Sequence, residues 1–75
     1  MAADLTTLTD EQLANACYVI ARDYYLADPE SPSRTREYGR WLEYSHEAQR
    51  RGRLDIANNA RDKARNDLKL KPLAH

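Results

Sequence analysis

Leu13, Ala16, Cys17, Ile20, Tyr24 and Ala27 recur at spacings of three and four, the period of one helical face. A second set, Ala14, Tyr18, Ala21 and Tyr25, runs beside it at i, i+4, i+7 and i+11, and Val19 and Leu26 lie off to the other side. Only Glu11, Asn15, Arg22 and Asp23 interrupt. A helix apolar on most of its circumference is expected to be buried on most of it. Its start is written in Leu8-Thr9-Asp10-Glu11-Gln12-Leu13, a capping box with Thr9 as N-cap, Gln12 at N3, and Leu8 and Leu13 at the staple positions. Asp10 and Glu11 suit the positive end of the helix dipole. The pattern predicts a first helix over 10–27, broken by Asp28-Pro29-Glu30-Ser31-Pro32-Ser33.

A second helix is expected to begin between Ser31 and Thr35 and to run over about 34–51, with Gly52 as the glycine just past its end. Tyr38, Trp41, Leu42, Ser45 and Ala48 fall within an arc of roughly 120°, which predicts a core stripe. Tyr44 stands about 60° beyond Trp41, across Glu37, and is expected on a wet edge as a contact residue. Gly39 inside this helix costs about 1 kcal/mol relative to alanine. It either permits a close backbone approach or is simply tolerated. A third helix follows over 54–68, with Leu54, Ile56, Ala57, Ala60, Ala64 and Leu68 on its apolar face. An alanine row lets a neighbour come close but buries little area. The tail from Lys69 to His75 is too short and interrupted for a helix, though its leucines can dock on the body. With no strand pattern, the chain reads as all-α: one domain, 1–75, a small three-helix bundle with a short C-terminal tail.

Size sharpens this picture. At 75 residues the chain is near the lower limit for folding on one apolar core. Its single cysteine, Cys17, allows no internal disulfide, fits a reducing compartment and is expected as a small core residue. The start, MAADLTTLTD, lacks the basic and apolar regions of a secretory signal. The longest apolar run, residues 16–21, is far too short to span a membrane. The expectation is a soluble cytoplasmic protein with no membrane partner. Formal net charge is zero, but residues 1–33 carry six acids against Arg22, while residues 34–75 carry eleven bases against six acids. Such polarity suits an acidic helix packed beside a basic one. Alternatively, it orients a partner or aligns copies of the chain.

The aromatic inventory is five tyrosines, one tryptophan and no phenylalanine. Tyr and Trp join apolar bulk to a polar handle and are enriched at interfaces, although small bundles also carry half-buried tyrosines at their rims. Two partner helices are expected to leave part of the first helix uncovered. Ala14, Tyr18, Ala21 and Tyr25, with Tyr44, are therefore the predicted partner-binding residues. The tyrosines would make the contacts, and the alanines would allow close approach.

From Trp41 through Ser45, Ala48 and Gly52-Arg53-Leu54-Asp55-Ile56-Ala57 to Ala64, the spacing resembles a single tetratricopeptide-type helical hairpin over residues 38–68. The resemblance implies antiparallel hairpin geometry and a lean toward protein binding. Arg61 stands where that repeat usually has an aromatic, Ala48 replaces a tyrosine, and the closing proline is out of place. No second copy exists, and such repeats need neighbours to bury their faces.

A helix-turn-helix reading rests on Arg50, Arg51 and Arg53 at the turn and on the Ala48–Gly52 spacing. It is opposed by Asn58 at an apolar position and by Asp55 and Asp62 on the exposed face, which repel phosphate. In that reading Arg34, Arg36, Arg40, Arg50, Arg51 and Arg53 touch nucleic acid or an acidic partner. The plainer account is a solvated face, with Glu43 and Glu47 pairing to Arg50 and Arg51. Glu43 and His46 have the Glu-x-x-His spacing of di-iron bundles but point away from the Trp41 stripe and have no second copy, so no metal is expected. His46 and His75 suggest no base–nucleophile set. No catalytic residue and no cofactor emerge. The expected function is a non-enzymatic protein-interaction module that occludes or bridges a larger protein, as an adaptor or inhibitor, a style common among small regulators of bacteria and mobile elements. The alternatives are a homodimer within a larger assembly and a nucleic-acid-binding regulator.

Overall fold

The computed structural model describes residues 4–70. They form a 3-10 turn, Leu5–Thr7, and three helices: α1, Asp10–Leu26; α2, Pro32–Arg50; and α3, Leu54–Asp67. There is no strand among the described residues. The predicted capping box closes α1: Thr9 Oγ1 accepts from the Gln12 N–H at 3.1 Å, and Gln12 Oε1 accepts from the Thr9 N–H at 2.9 Å. α2 starts at Pro32, inside the window expected between Ser31 and Thr35 and two residues before the approximate span of 34–51. Ser31 accepts from the Arg34 N–H as N-cap, and Pro32 takes the first helical position, where its fixed φ is already helical and its missing N–H is no loss. The 3-10 turn was not anticipated. The Asp4 carboxylate builds it locally, accepting from the Thr6 N–H at 3.1 Å.

Two helices end in the same way with different residues. Past α2, Gly52 has φ +69°, its N–H donates to the Gln49 carbonyl, and the Arg53 N–H donates to the Ala48 carbonyl. This six-to-one and five-to-two pair satisfies the last carbonyls of the helix. Past α3, Lys69 adopts φ +59° and, with Leu70, repeats the two bonds to Asn66 and Arg65. Gly39 needs no such freedom: nothing lies within 4 Å of where its Cβ would be. It is tolerated, not required for packing.

α1 is the central element. It packs on α3 and on α2, whereas α2 and α3 touch each other far less. Leu13 and Cys17 from α1 cluster with Ala48 of α2 and Ile56, Ala57 and Ala60 of α3, and Ile20, Ala21 and Ala64 are buried as well. The two stripes of α1 thus have two owners, and the expectation that the second stripe stays uncovered is corrected. Ala21, expected at an interface, is 3% exposed. The Tyr18 hydroxyl donates to the Asp67 carboxylate, Lys63 lies over the Tyr18 ring, and Arg65 lies over the Tyr25 ring. The cause is the alanine row of α3, which lets that helix come close enough for its longer flanking residues to reach across.

α2 presents a different face from the one expected. Tyr38 and Leu42 are 50% and 38% exposed, while Trp41 and Tyr44 pack against the core beside buried Ala48. The inward face is turned by roughly 80° at 100° per residue. Glu47, counted as polar and wet, is buried, and it brings Tyr44 inward with it. Leu54, at the first position of α3, is also exposed. The close α2–α3 hairpin implied by the tetratricopeptide resemblance is replaced by two helices that each rest mainly on α1. In the tail Leu70 is exposed, and Leu73 lies outside the described residues.

Candidate interaction surface

The five residues expected to bind a partner do not form one surface. Ala14 and Tyr18 border a shallow groove of about 390 Å³ between α1 and α3, whose walls mix Asp10, Glu11 and Asp55 with Arg53 and Lys63. Tyr44 packs against the core. Tyr25 and buried Ala21 belong to a separate cleft at the other end of the molecule.

The six arginines weighed as phosphate contacts are engaged within the fold. Arg51 is 14% exposed: Nε donates to Glu47 at 2.6 Å, Nη1 to Asp10 at 2.9 Å and Nη2 to the Leu5 carbonyl at 2.8 Å. Arg50 gives Glu47 two more bonds, at 2.9 and 2.6 Å. Hydrogen bonds from Arg50 and Arg51 hold the Glu47 carboxyl down at about 2. Arg53 forks onto Asp55 and also reaches Asp10, so acidic α1 and the basic turn are joined by ion pairs. Arg40 pairs with Glu37, and Arg36 bonds the Ser33 hydroxyl. Arg34 stacks 4.0 Å from the Tyr24 ring centre and donates to the Ala27 carbonyl.

The remaining candidates for chemistry stand apart. Glu43 and His46 are exposed, and no group of potential ligands converges on a metal position among the described residues. Burial pushes the Cys17 thiol up to about 11, the behaviour of a core residue and not of a nucleophile. Among the described residues, no helix is long and apolar enough to cross a membrane.

The cleft at the end away from Gly52 has a different character. Ala21 of α1 forms its floor; Tyr24 and Tyr25 of α1, Tyr38 and Trp41 of α2 and Arg61 of α3 line it, enclosing about 220 Å³. It opens where α2 and α3, both resting on α1, leave each other. Tyr24 meets Tyr25 edge-on at 5.3 Å and lies tilted to Tyr38 at 6.1 Å. No carboxylate lines it. Arg61 Nε is buried with no hydrogen-bond partner; the nearest acid oxygen, Asp62 Oδ1, is 3.7 Å away, beyond hydrogen-bonding range.

Sequence reasoning placed Tyr24, Tyr38 and Trp41 on core stripes; Trp41 does pack against the core, but all three also line this cleft, which the pattern missed. Its one signal was Arg61, noted only as a cation where the resembled repeat has an aromatic. No protein-family model, no curated protein and no solved structure matches the chain.

Proposed function

We propose that this chain is a protein-interaction module that acts by occluding or bridging a larger protein, as an adaptor or inhibitor, and that it engages its partner through the cleft between α2 and α3. The observation that carries this reading is the concave wall of Tyr24, Tyr25, Tyr38 and Trp41, with Tyr38 half exposed and Leu42, one turn further along α2, exposed as well. Concave aromatic pockets with an apolar rim are where interface hot spots concentrate. A nucleic-acid reading draws less support, because four of its six arginines, Arg40, Arg50, Arg51 and Arg53, pair with Glu37, Glu47, Asp10 and Asp55.

The test is site-specific photo-crosslinking in cells, with a benzophenone side chain at position 38 or, as a control on the exposed side of α1, at position 19. A discrete heavier adduct from position 38 and none from position 19 is the expected result. No adduct from 38, or equal adducts from both, would overturn the reading. An adduct of twice the chain mass would replace a foreign partner with a second copy.

A further inference from the structure

We infer that the cleft receives an acidic side chain, an Asp or Glu set beside an aliphatic or aromatic residue in an extended segment of the partner protein. This deepens the preceding proposal and rests on it. The inference starts from Arg61. A guanidinium has five donors in a fixed fork and is always charged. Here its Nε is sealed from water without an acceptor, and Asp62, about half exposed, is too far away to bond it. Buried polar groups without partners are rare in folded proteins and call for an explanation. Asp62 is the acid beside Arg61, and the lining of the cleft itself contributes none. Arg34 stacks on Tyr24 and Arg65 on Tyr25, two of the rings that line the cleft, and no acid lines it. A carboxylate entering beside Arg61 meets a cation whose nearby acid, Asp62, is half exposed and beyond hydrogen-bonding distance of Nε, within aromatic walls that strengthen the attraction.

The size of the cleft selects the form of the ligand. At about 220 Å³ it falls below the usual range of small-molecule sites, roughly 300–1,000 Å³, and suits a single side chain. The rest of the contact then comes from the rim. Tyr38 and Leu42 stand one turn apart on the same face of α2, both exposed, ready to cover an apolar residue next to the acid. A nucleic-acid backbone fits poorly, since its phosphates follow open basic surfaces and this cation lies among rings. A phosphorylated side chain would bring nearly two negative charges close to Asp62.

The experiment is a selection of random heptapeptides on the intact folded protein, followed by anisotropy titration of one selected peptide and its Glu→Gln or Asp→Asn counterpart. Selected peptides are expected to share an acid next to an apolar residue, and the neutral counterpart to bind at least 10-fold more weakly. In Arg61→Gln, checked for helical content by circular dichroism, that discrimination is expected to vanish. A second readout needs no variant. The Arg61 Nε–H resonance of the native protein is expected to move when the acidic peptide is added and to stay in place with the neutral one. Peptides selected without any acid, or discrimination that survives Arg61→Gln, would overturn the inference and leave the protein-binding proposal standing. No enrichment at all would also overturn it, and the position-38 crosslink alone would then decide the broader proposal.

Discussion

At the Gly52 end of the bundle, Glu47 collects three hydrogen bonds from two guanidiniums, and Arg51 carries the network on to Asp10 and the Leu5 carbonyl. At the far end, four aromatic residues line a cleft with Arg61, whose Nε has no hydrogen-bond acceptor. Both ends bury part of an arginine. At the first, each charge meets a partner supplied by the fold, drawn from residues up to 46 positions apart. At the second, the fold supplies rings and sets the nearby acid, Asp62, 3.7 Å from Nε, beyond hydrogen-bonding range. The difference separates structural charge from charge held in reserve. A half-buried arginine by itself says little, whereas its acceptors say which kind it is.

The ionic end should be the easier to break. Glu47→Ala leaves Arg51, mostly buried, facing the space of its lost carboxylate. Removing one partner of a buried pair costs more than the pair itself contributes, because the remaining charge is stranded. A fall in the thermal midpoint of roughly 10 °C or more is expected by circular dichroism. Glu47→Met combined with Arg51→Met should recover a good part of it. A drop of only a degree or two in Glu47→Ala would mean that this network is peripheral.

The same end should govern stability in acid. Glu47 titrates at about 2 in the fold against an ordinary 4.5, so as pH falls the unfolded chain binds the proton first. The stability from this group is complete above about 4.5 and is lost as pH falls toward 2. The Asp55 carboxyl, lowered chiefly by its hydrogen bond from Arg53, and Asp4, lowered by its bonds from Thr6, act in the same direction. Denaturant midpoints measured from pH 6 downward should therefore decline most steeply in that window, about pH 4.5 to 2. Glu47→Gln should flatten the decline.

What the sequence made legible follows from range. The Thr9 capping box, the Gly52 stop and the buried Cys17 depend on near neighbours or on one helical period and stand where the pattern put them, while the break expected over Asp28–Ser33 ends at Ser31, because Pro32 and Ser33 open α2. The facing of α2 depends on Asp10, which lies 41 positions from Arg51 and makes it favourable to turn Glu47 inward. A polarity pattern scores Glu47 and Arg51 as solvent-facing, so it turns the helix the wrong way and sends Tyr38 to the core. The cleft was hidden by the same error. Its rings look like core residues until α2 is turned and α1, not the α2–α3 contact, becomes the centre.

The two glycines of the α2 region offer a finer comparison, one near each end. Gly52 holds φ +69°, where an L side chain is strained, so Gly52→Ala should cost about 1–2 kcal/mol despite the open space around it. Gly39 is within the helix with open space and no such φ, so Gly39→Ala should stabilise by about 1 kcal/mol. Opposite signs in urea titration would confirm that backbone conformation, not room, distinguishes them. A stabilising Gly52→Ala would contradict the observed stop.

The smallest effect on stability is expected from Tyr38→Ala. Half of that residue is exposed, and its one ring contact, with Tyr24, is tilted at 6.1 Å. Its loss should cost under about 1 kcal/mol, a shift of a few degrees in the thermal midpoint. The same substitution removes the rim of the cleft, so binding of the selected acidic peptide should fall by at least 10-fold, as for a hot-spot residue. A large binding loss with a nearly unchanged melt places the work of Tyr38 outside the fold's own stability. A melt that collapses as in Glu47→Ala would mean that the aromatic end is core after all, merely less well sealed than the ionic one.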